Sequence, residues 1–325
     1  MRDKIIEIIL NSSNNFVSGE ELSKKLGISR TAIWKHINIL RQKGYDIEAV
    51  NKKGYRLLSS PKDLLNPQNI YHNLNTDTIG KNIIHLETVD STNDYLKGIA
   101  NNSQDGTVVI SEQQTKGKGR LGRTWESKYN EGIWMSILLK PDILPYKSTF
   151  ITLVIGAAIV KALNNLKVPA KIKWPNDIII NNKKVGGILT ELHAEIERIN
   201  YLVVGIGINV KNLIFEKELE KKATSLYKEN FFISRIEVVS QVLYEFEKLY
   251  NDYIKHNYKE ETLKICREYS AIINKDIYIF KDEKKELVRC IDINNEGSLI
   301  IIDSNNNKQE ILSGEVSIRG VKGYV

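Results

Sequence analysis

Cysteine is scarce: the 325-residue chain has two, Cys266 and Cys290. They make no CxxC pair and have no histidine cluster beside them, so neither a disulfide framework nor a zinc site is expected. Reduced, buried thiols suit a cytosolic protein, and a cytoplasmic location is expected. Long apolar runs are also missing. With no stretch of about 18 consecutive apolar residues, no membrane span is expected. The opening residues Met1, Arg2, Asp3 and Lys4 lead into an apolar run that contains acidic residues and no small-residue cleavage site, so no signal peptide is expected. An acidic excess is lacking too: 47 Lys and Arg against 40 Asp and Glu leave a net charge of +7, which permits anionic partners. The 42% apolar and 27% charged composition is that of a globular protein with a sizeable core, and the length suggests two or three domains.

What is present is a short basic glycine-rich run, Gln114, Thr115, Lys116, Gly117, Lys118, Gly119, Arg120, Leu121, Gly122, Arg123, Thr124 and Trp125, between strand-like residues 107–112 and 132–139. Glycines let backbone turn tightly and approach a ligand closely, and the cations add charge at that point. Such a loop suits an anion, phosphate or carboxylate; the bland alternative is a solvated basic turn. It is not a P-loop, because Gly122 is followed by Arg123 and then Thr124, with arginine where the pattern needs lysine. Gly117, Gly119 and Gly122 fit the letters of a dinucleotide fingerprint, but no apolar helical stripe follows them.

The first sixty residues read as a winged helix-turn-helix. Ile5, Ile6, Ile9 and Leu10 have helical spacing. Ser18 with Glu21 caps a second helix that Gly27 ends. Ser29 caps a third, from Arg30 to about Lys43, whose apolar stripe is Ile33, Ile37 and Leu40. Residues 45–50 and 55–58 then form two strands around the basic turn Asn51, Lys52, Lys53 and Gly54. Arg30, Lys52 and Lys53 would meet phosphates, and the exposed face with Thr31, Lys35 and Asn38 would meet base edges, making operator DNA the expected partner. Trp34 either packs against the wing or touches DNA; packing is expected. Ser59, Ser60 and Pro61 read as a linker, and Asn66-Pro67 starts a short helix.

The middle is α+β with a mixed or antiparallel sheet. Asp90, Ser91, Thr92 and Asn93 stand at a strand end and helix start, where free N–H groups and hydroxyls suit a polar ligand, or where Ser91 simply caps. An apolar helix over 148–164 is expected. Lys171, Ile172, Lys173, Trp174, Pro175, Asn176 and Asp177 then enter a strand pair that returns through Lys183, Lys184, Val185, Gly186, Gly187, Ile188 and Leu189. A further strand closes on Gly205, Ile206, Gly207, Ile208 and Asn209. Amphipathic helices over 231–255 and 259–269 follow. Five short strands, 277–280, 287–293, 298–302, 310–312 and 316–318, with a turn at Asp282-Glu283, make a small β-barrel.

The glycine-rich loop with Trp125, then Lys173-Trp174-Pro175-Asn176-Asp177, then residues 184–189, then Gly205-Ile206-Gly207-Ile208-Asn209, in this order, resemble the biotin–protein ligases. With the winged helix in front, the chain is similar to the bifunctional members that are also biotin operon repressors. The resemblance covers essentially the whole chain; no single motif decides it, but the ordered set is specific. It implies a winged helix-turn-helix at 1–60, a linker and short helix at 61–82, a class II synthetase-like α/β catalytic domain at 83–270 and an SH3-like barrel at 271–325.

The resemblance also implies a two-step reaction: biotin and ATP, with Mg²⁺, give biotinyl-5′-AMP, and a lysine of a biotin carboxyl carrier protein takes the biotin. It assigns biotin contacts to Ser91, Thr92, Asn93, Gln114, Gly117, Lys118, Gly119 and Arg120, and the biotin carboxylate and bridging phosphate to Lys184. Gly186, Gly205 and Gly207 would let backbone approach the biotin tail. Arg123, Trp125, Asn176, Asp177 and Asn209 fall on the adenylate side. Lys184, Arg120 and Lys118 are the implied catalytic residues. Asn176 and Asp177 are either site residues, through Mg²⁺, or turn formers; Trp174 and Pro175 are architecture. The sequence departs from the family loop at Lys118, a point charge where a forked arginine is usual, and at Leu121, another arginine position. A homodimer induced by adenylate and DNA is implied, with no membrane partner. Two competitors remain: a lipoate–protein ligase, against which the cationic loop and the winged helix argue, and a DNA-binding regulator that senses a small acid without chemistry.

Overall fold

The computed structural model describes all residues except 13–14, 43, 60–62, 282–283, 314–316 and 322. The chain divides into two compact units, Met1–Leu64 and Leu65–Val325. The expected helix end at Lys43, the Ser60-Pro61 linker, the Asp282-Glu283 turn and the strand start at Val316 lie outside the described residues.

The first unit runs α1 (Arg2–Leu10), α2 (Gly19–Leu26), α3 (Arg30–Gln42), β1 (Asp46–Val50) and β2 (Gly54–Ser59). Local chemistry sets the boundaries. Ser18 Oγ accepts the Glu21 N–H at 3.0 Å, Gly27 takes a left-handed conformation, and Ser29 Oγ accepts the Ala32 N–H at 3.1 Å; each such N-cap stabilises its helix by about 1 kcal/mol. Ile5, Ile9, Leu22, Ile33, Ile37, Leu40 and Ile47 close one small core. The wing is the antiparallel pair β1–β2. Gly54 sits at φ +114°, and a Cβ there would come within 2.1 Å of the Val17 carbonyl oxygen, so only glycine fits. Trp34 overturns the packing expectation: it is 55% exposed. It follows Ile33 by one residue, about 100° around the helix, and so leaves the apolar stripe that Ile33 and Ile37 bury.

The second unit continues with α4 (Pro67–Asn73), β3 (Ile83–Val89), α5 (Thr92–Ile99), β4 (Val108–Gln114), β5 (Gly132–Leu139), α6 (Thr149–Asn165), β6 (Lys171–Lys173), β7 (Asp177–Ile180), β8 (Lys183–Ala194), β9 (Ile199–Asn209), α7 (Arg235–His256) and α8 (Glu260–Glu268). Strands β3–β9 form one mixed sheet in the order β3-β4-β5-β9-β8-β7-β6, with β3 and β4 parallel and the other neighbours antiparallel. Both faces are covered. Val108, Ile110, Ile137, Leu202 and Val204 enter the main core, while Val109, Leu138 and Val203 pack with Leu96 of α5 on the other side. This is why β5 reads as a nearly continuous apolar run, interrupted by Ser136, rather than an alternating one. Helix α6 with the turn before it, Pro145–Asn165, is long and apolar enough to cross a membrane. It lies instead in the core against α7, α8 and β8, which accounts for apolar residues on all its sides.

Strands β10 (Asp276–Lys281), β11 (Lys284–Ile293), β12 (Leu299–Ile302), β13 (Lys308–Ile311) and β14 (Ser317–Gly320) make an antiparallel sheet in the order β13-β12-β11-β10-β14. Trp174 anchors it: the buried indole donates to the Gly297 carbonyl at 2.9 Å. Cys266 and Cys290 are both buried and free.

Candidate functional site

Two cavities share a wall. The first is small, about 50 Å³, and is built from the start of α5, the end of β4 and the glycines of β8 and β9. Its polar end is a closed hydrogen-bond network. The Thr92 N–H and hydroxyl both donate to Gln114 Oε1, at 2.8 and 3.0 Å, and Gln114 Nε2 donates to Ser127 Oγ at 2.9 Å. Ser136 Oγ lies 2.7 Å from Thr92 Oγ1 and 2.6 Å from Asn93 Oδ1, and Asn93 Nδ2 donates to Glu191 at 2.6 Å. Ser91, Thr92 and Asn93 are all buried, and Ser91 also caps α5 by accepting the Asp94 N–H at 3.4 Å. Buried side chains tied to one another like this hold fixed donors and acceptors toward a small polar ring.

The cationic loop is folded back on itself. The Trp125 N–H donates to the Gly117 carbonyl at 2.9 Å and the Gly119 N–H to the Arg123 carbonyl at 2.7 Å. A Cβ on Gly117 would lie 2.3 Å from the Trp125 carbonyl oxygen, so this glycine permits the loop to close; Gly117, expected among the biotin contacts, lines neither cavity. Lys118 pairs with Asp94 of α5 at 2.6 Å. Leu121, at the usual arginine position, is 72% exposed. The loop's tip delivers Arg120, whose Nη1 donates to Asn176 Oδ1 at 2.9 Å.

The second cavity, about 440 Å³, lies beyond the loop. Arg123, Trp125, Asn176, Asp177 and Asn209 line it together with Lys173, Lys222, Arg319 and Tyr324. Asn209 is fixed by donating to the Thr224 carbonyl at 3.1 Å. Lys184 Nζ lies 2.5 Å from Asp177 Oδ1 and 5.1 Å from the Trp125 ring centroid. Burial pushes the Asp177 carboxyl up, but Lys184, Lys173 and Tyr324 outweigh it and leave the group below its ordinary value. Lys173 is 3% exposed, and burial brings its ammonium down to about 7 against the pull of Asp177. Gly119, Arg120, Trp125, Asn176 and Lys184 belong to both walls. The shared wall thus carries two basic side chains, Lys184 and Arg120, between the two cavities.

The sequence of the Biotin/lipoate A/B protein ligase family matches residues 85–209, and that of an HTH domain matches residues 2–56. The chain is 36% identical over 323 residues to the Bifunctional ligase/repressor BirA of Bacillus subtilis (strain 168), covering 98% of each. The chain belongs to the bifunctional biotin ligase/repressor family. A second member, from Salmonella typhimurium, is 27% identical over 99% of this chain and 100% of its own. Among solved structures, the biotin protein ligase from Aquifex aeolicus in complex with biotin and ATP superposes with a TM-score of 0.65 at 31% identity, covering 74% of this chain and 99% of that one.

Within this ligase/repressor the expected glycines need correction. Gly186 lines neither cavity; Gly187 does. A bulge opposite Ile178/Ile179 pairs Ile178 with Gly186 and Ile179 with Lys184, slipping Val185 between them and changing the parity of the strand. Lys184 and Gly187 thereby face the same side: a Cβ on Gly187 would lie 3.0 Å from Lys184 Cε. The bare faces of Gly205 and Gly207 are filled by side chains. A Cβ would lie 2.3 Å from Asn93 Oδ1 at Gly205 and 2.5 Å from Trp125 Nε1 at Gly207. Ser136, Lys173, Lys222, Arg319 and Tyr324 escaped sequence reasoning. Lys173 had a signal, as the residue before the Trp174-Pro175-Asn176-Asp177 run; Arg319 comes from β14 and Tyr324 from the segment after it, far along the chain, and neither had one. In the first unit, Arg30, Thr31, Lys35, Lys52 and Lys53 are exposed, Asn38 is half-buried, and Trp34 adds an exposed aromatic to the same helix.

Proposed function

We propose that this chain is an ATP-dependent biotin–protein ligase that is also a transcriptional repressor. A biotin carboxylate oxygen attacks the α-phosphorus of ATP; the O–P bond to biotin forms as the bond to pyrophosphate breaks. The carrier lysine amine then attacks the adenylate carbonyl carbon, AMP leaves, and the amine proton passes to solvent. The reacting anions repel each other, so the chain must hold them together and offset their charge. Arg120 and Lys184, on the shared wall, carry both tasks: two cations face the point where carboxylate oxygen and α-phosphate meet. Ser91, Thr92, Asn93 and Gln114 orient the ring end, and Trp125, Asn209 and Arg123 flank the nucleotide.

Mg²⁺ is placed with the triphosphate as part of the substrate. Both Asp177 oxygens and the Asn176 carbonyl already have protein partners, and no group of three metal-ligating side chains occurs among the described residues. The proposed division of labour is operator binding by 1–60, a linker over 61–82, ligation by 83–270, and nucleotide or carrier support by 271–325. The adenylate is both intermediate and corepressor; it favours a homodimer that aligns two winged units on a two-fold operator.

The observation that carries this reading is the membership of Lys184 in both cavities. Incubating the protein with biotin, ATP-Mg²⁺ and a carrier domain should add biotin to one carrier lysine, read as a mass gain, and lipoate in parallel should add nothing. Modification by lipoate alone, or by neither acid, sinks the proposal. Sedimentation of the same mixture without carrier should show a dimer; a monomer at every adenylate concentration removes the corepressor step.

A further inference from the structure

After β14 the chain turns back on itself. The Gly320 N–H donates to the Tyr324 carbonyl at 3.4 Å, and a Cβ on residue 320 would lie 2.1 Å from the Val325 carbonyl carbon, so glycine is what lets the turn close. The turn carries Tyr324 into the wall of the nucleotide-side cavity. Its hydroxyl donates to Asp177 Oδ2 at 2.5 Å, while Oδ1 of the same carboxylate takes Lys184 Nζ at 2.5 Å. Lys173 Nζ packs over the Tyr324 ring, 3.6 Å from its centroid.

We propose that Tyr324 is a positioning residue for the adenylation step, acting through Asp177 on Lys184. An aspartate carboxylate turns easily about its last torsion, and a lysine amine on four methylenes follows its partner. With Oδ2 tied to Tyr324, Oδ1 is fixed, and with it the amine at the shared wall. Small misplacements of a charge at a reacting centre cost large factors in rate. The segment after β14 thus reaches into the first half-reaction, whereas the second half-reaction, starting from finished adenylate, has no need of that alignment. The inference rests on the ligase reading above.

The decisive variant is Tyr324→Phe, which keeps the ring over Lys173 and removes only the O–H. The kcat for pyrophosphate release from biotin and ATP should fall roughly tenfold, the loss expected for one hydrogen bond to a charged group. KM for ATP and biotin, and transfer from supplied biotinyl-adenylate to the carrier, should stay unchanged. Adding Tyr324→Phe to Asp177→Asn should cost nothing further. An unchanged kcat, a raised KM for ATP alone, an equal loss of transfer from supplied adenylate, or additive losses in the double variant each overturns the proposal. One readout needs no turnover: acetylation of Lys184 by acetic anhydride, followed by peptide mass spectrometry, should be faster in Tyr324→Phe than in the unaltered chain, and equal rates overturn it. A chain that makes no adenylate would instead sink the ligase reading and leave this labelling result standing by itself.

Discussion

Lys184 has an acidic partner on one side and an indole on the other, and it opens toward both cavities. A point charge on a flexible stem can follow a carboxylate as it becomes a bridging oxygen, which suits lysine to this place. Lys184→Ala should abolish adenylate formation while leaving the melting temperature close to that of the unaltered chain; retained activity would remove the residue from the mechanism. Lys173 offers a separate handle. Its folded ammonium titrates near 7 because it is buried, so above that pH it is largely neutral before nucleotide arrives. An incoming triphosphate favours the charged form and raises the pKa. Nucleotide binding at pH 8 should therefore take up protons, seen as a dependence of the calorimetric enthalpy on buffer ionisation, and Lys173→Met should lose that dependence. At this scale the sequence exposed the chemistry but not the facing. Lys184, Arg120 and Asn93, singled out by their motifs, lie together on one cavity wall, whereas the facing of Gly186 and Gly187 depends on a bulge that no residue spacing announces.

Whole elements were easier to read than their partners. Ser18 and Gly27 wrote both ends of α2 into the chain, and Ser29 the start of α3, because capping is local chemistry. The cationic loop was visible as composition, yet its folded-back form depends on backbone bonds among Gly117, Gly119, Arg123 and Trp125 that composition does not specify. The wing should act as a separable element. Lys52→Ala with Lys53→Ala should weaken operator binding and reduce the slope of log K against log salt by about 2, roughly 0.9 per lost phosphate contact, with ligase turnover unchanged. Unaltered affinity at low salt would show that the wing does not touch DNA. Trp34 was misjudged because aromatic character alone does not tell which side of a helix a residue occupies; its offset from Ile33 does.

Across the second unit, the most deeply buried charges sit away from the chemistry. Arg235 and Glu112 pair at 2.7 Å at 0% and 2% exposure, and Glu112 also accepts the Leu65 N–H at 3.2 Å. Burial pushes the Glu112 carboxyl up, but His85 and Arg235 hold it down at about 2, against an ordinary value of 4.5. Its folded value lies below its unfolded one, so the stability it supplies is present above about pH 4.5 and drains away as pH falls toward 2. Glu112→Gln should lower stability at pH 7 by about 3–5 kcal/mol, the cost of stranding a buried charge, and the gap to the unaltered chain should shrink through that window in urea titrations. A constant gap from pH 7 to pH 2 would contradict it. This long-range pair was invisible in the sequence, since its members stand 123 residues apart.

The partition between the two cavities has a kinetic consequence. On the proposed reading biotin is held in one chamber and ATP in the other, each by its own set of contacts, and the joined molecule has a foot in both. Letting go then requires two releases at once, and tethered contacts re-form faster than they are lost. The joined species should outstay either precursor by orders of magnitude, and that dwell time is the interval during which the protein either finds a carrier or settles on DNA.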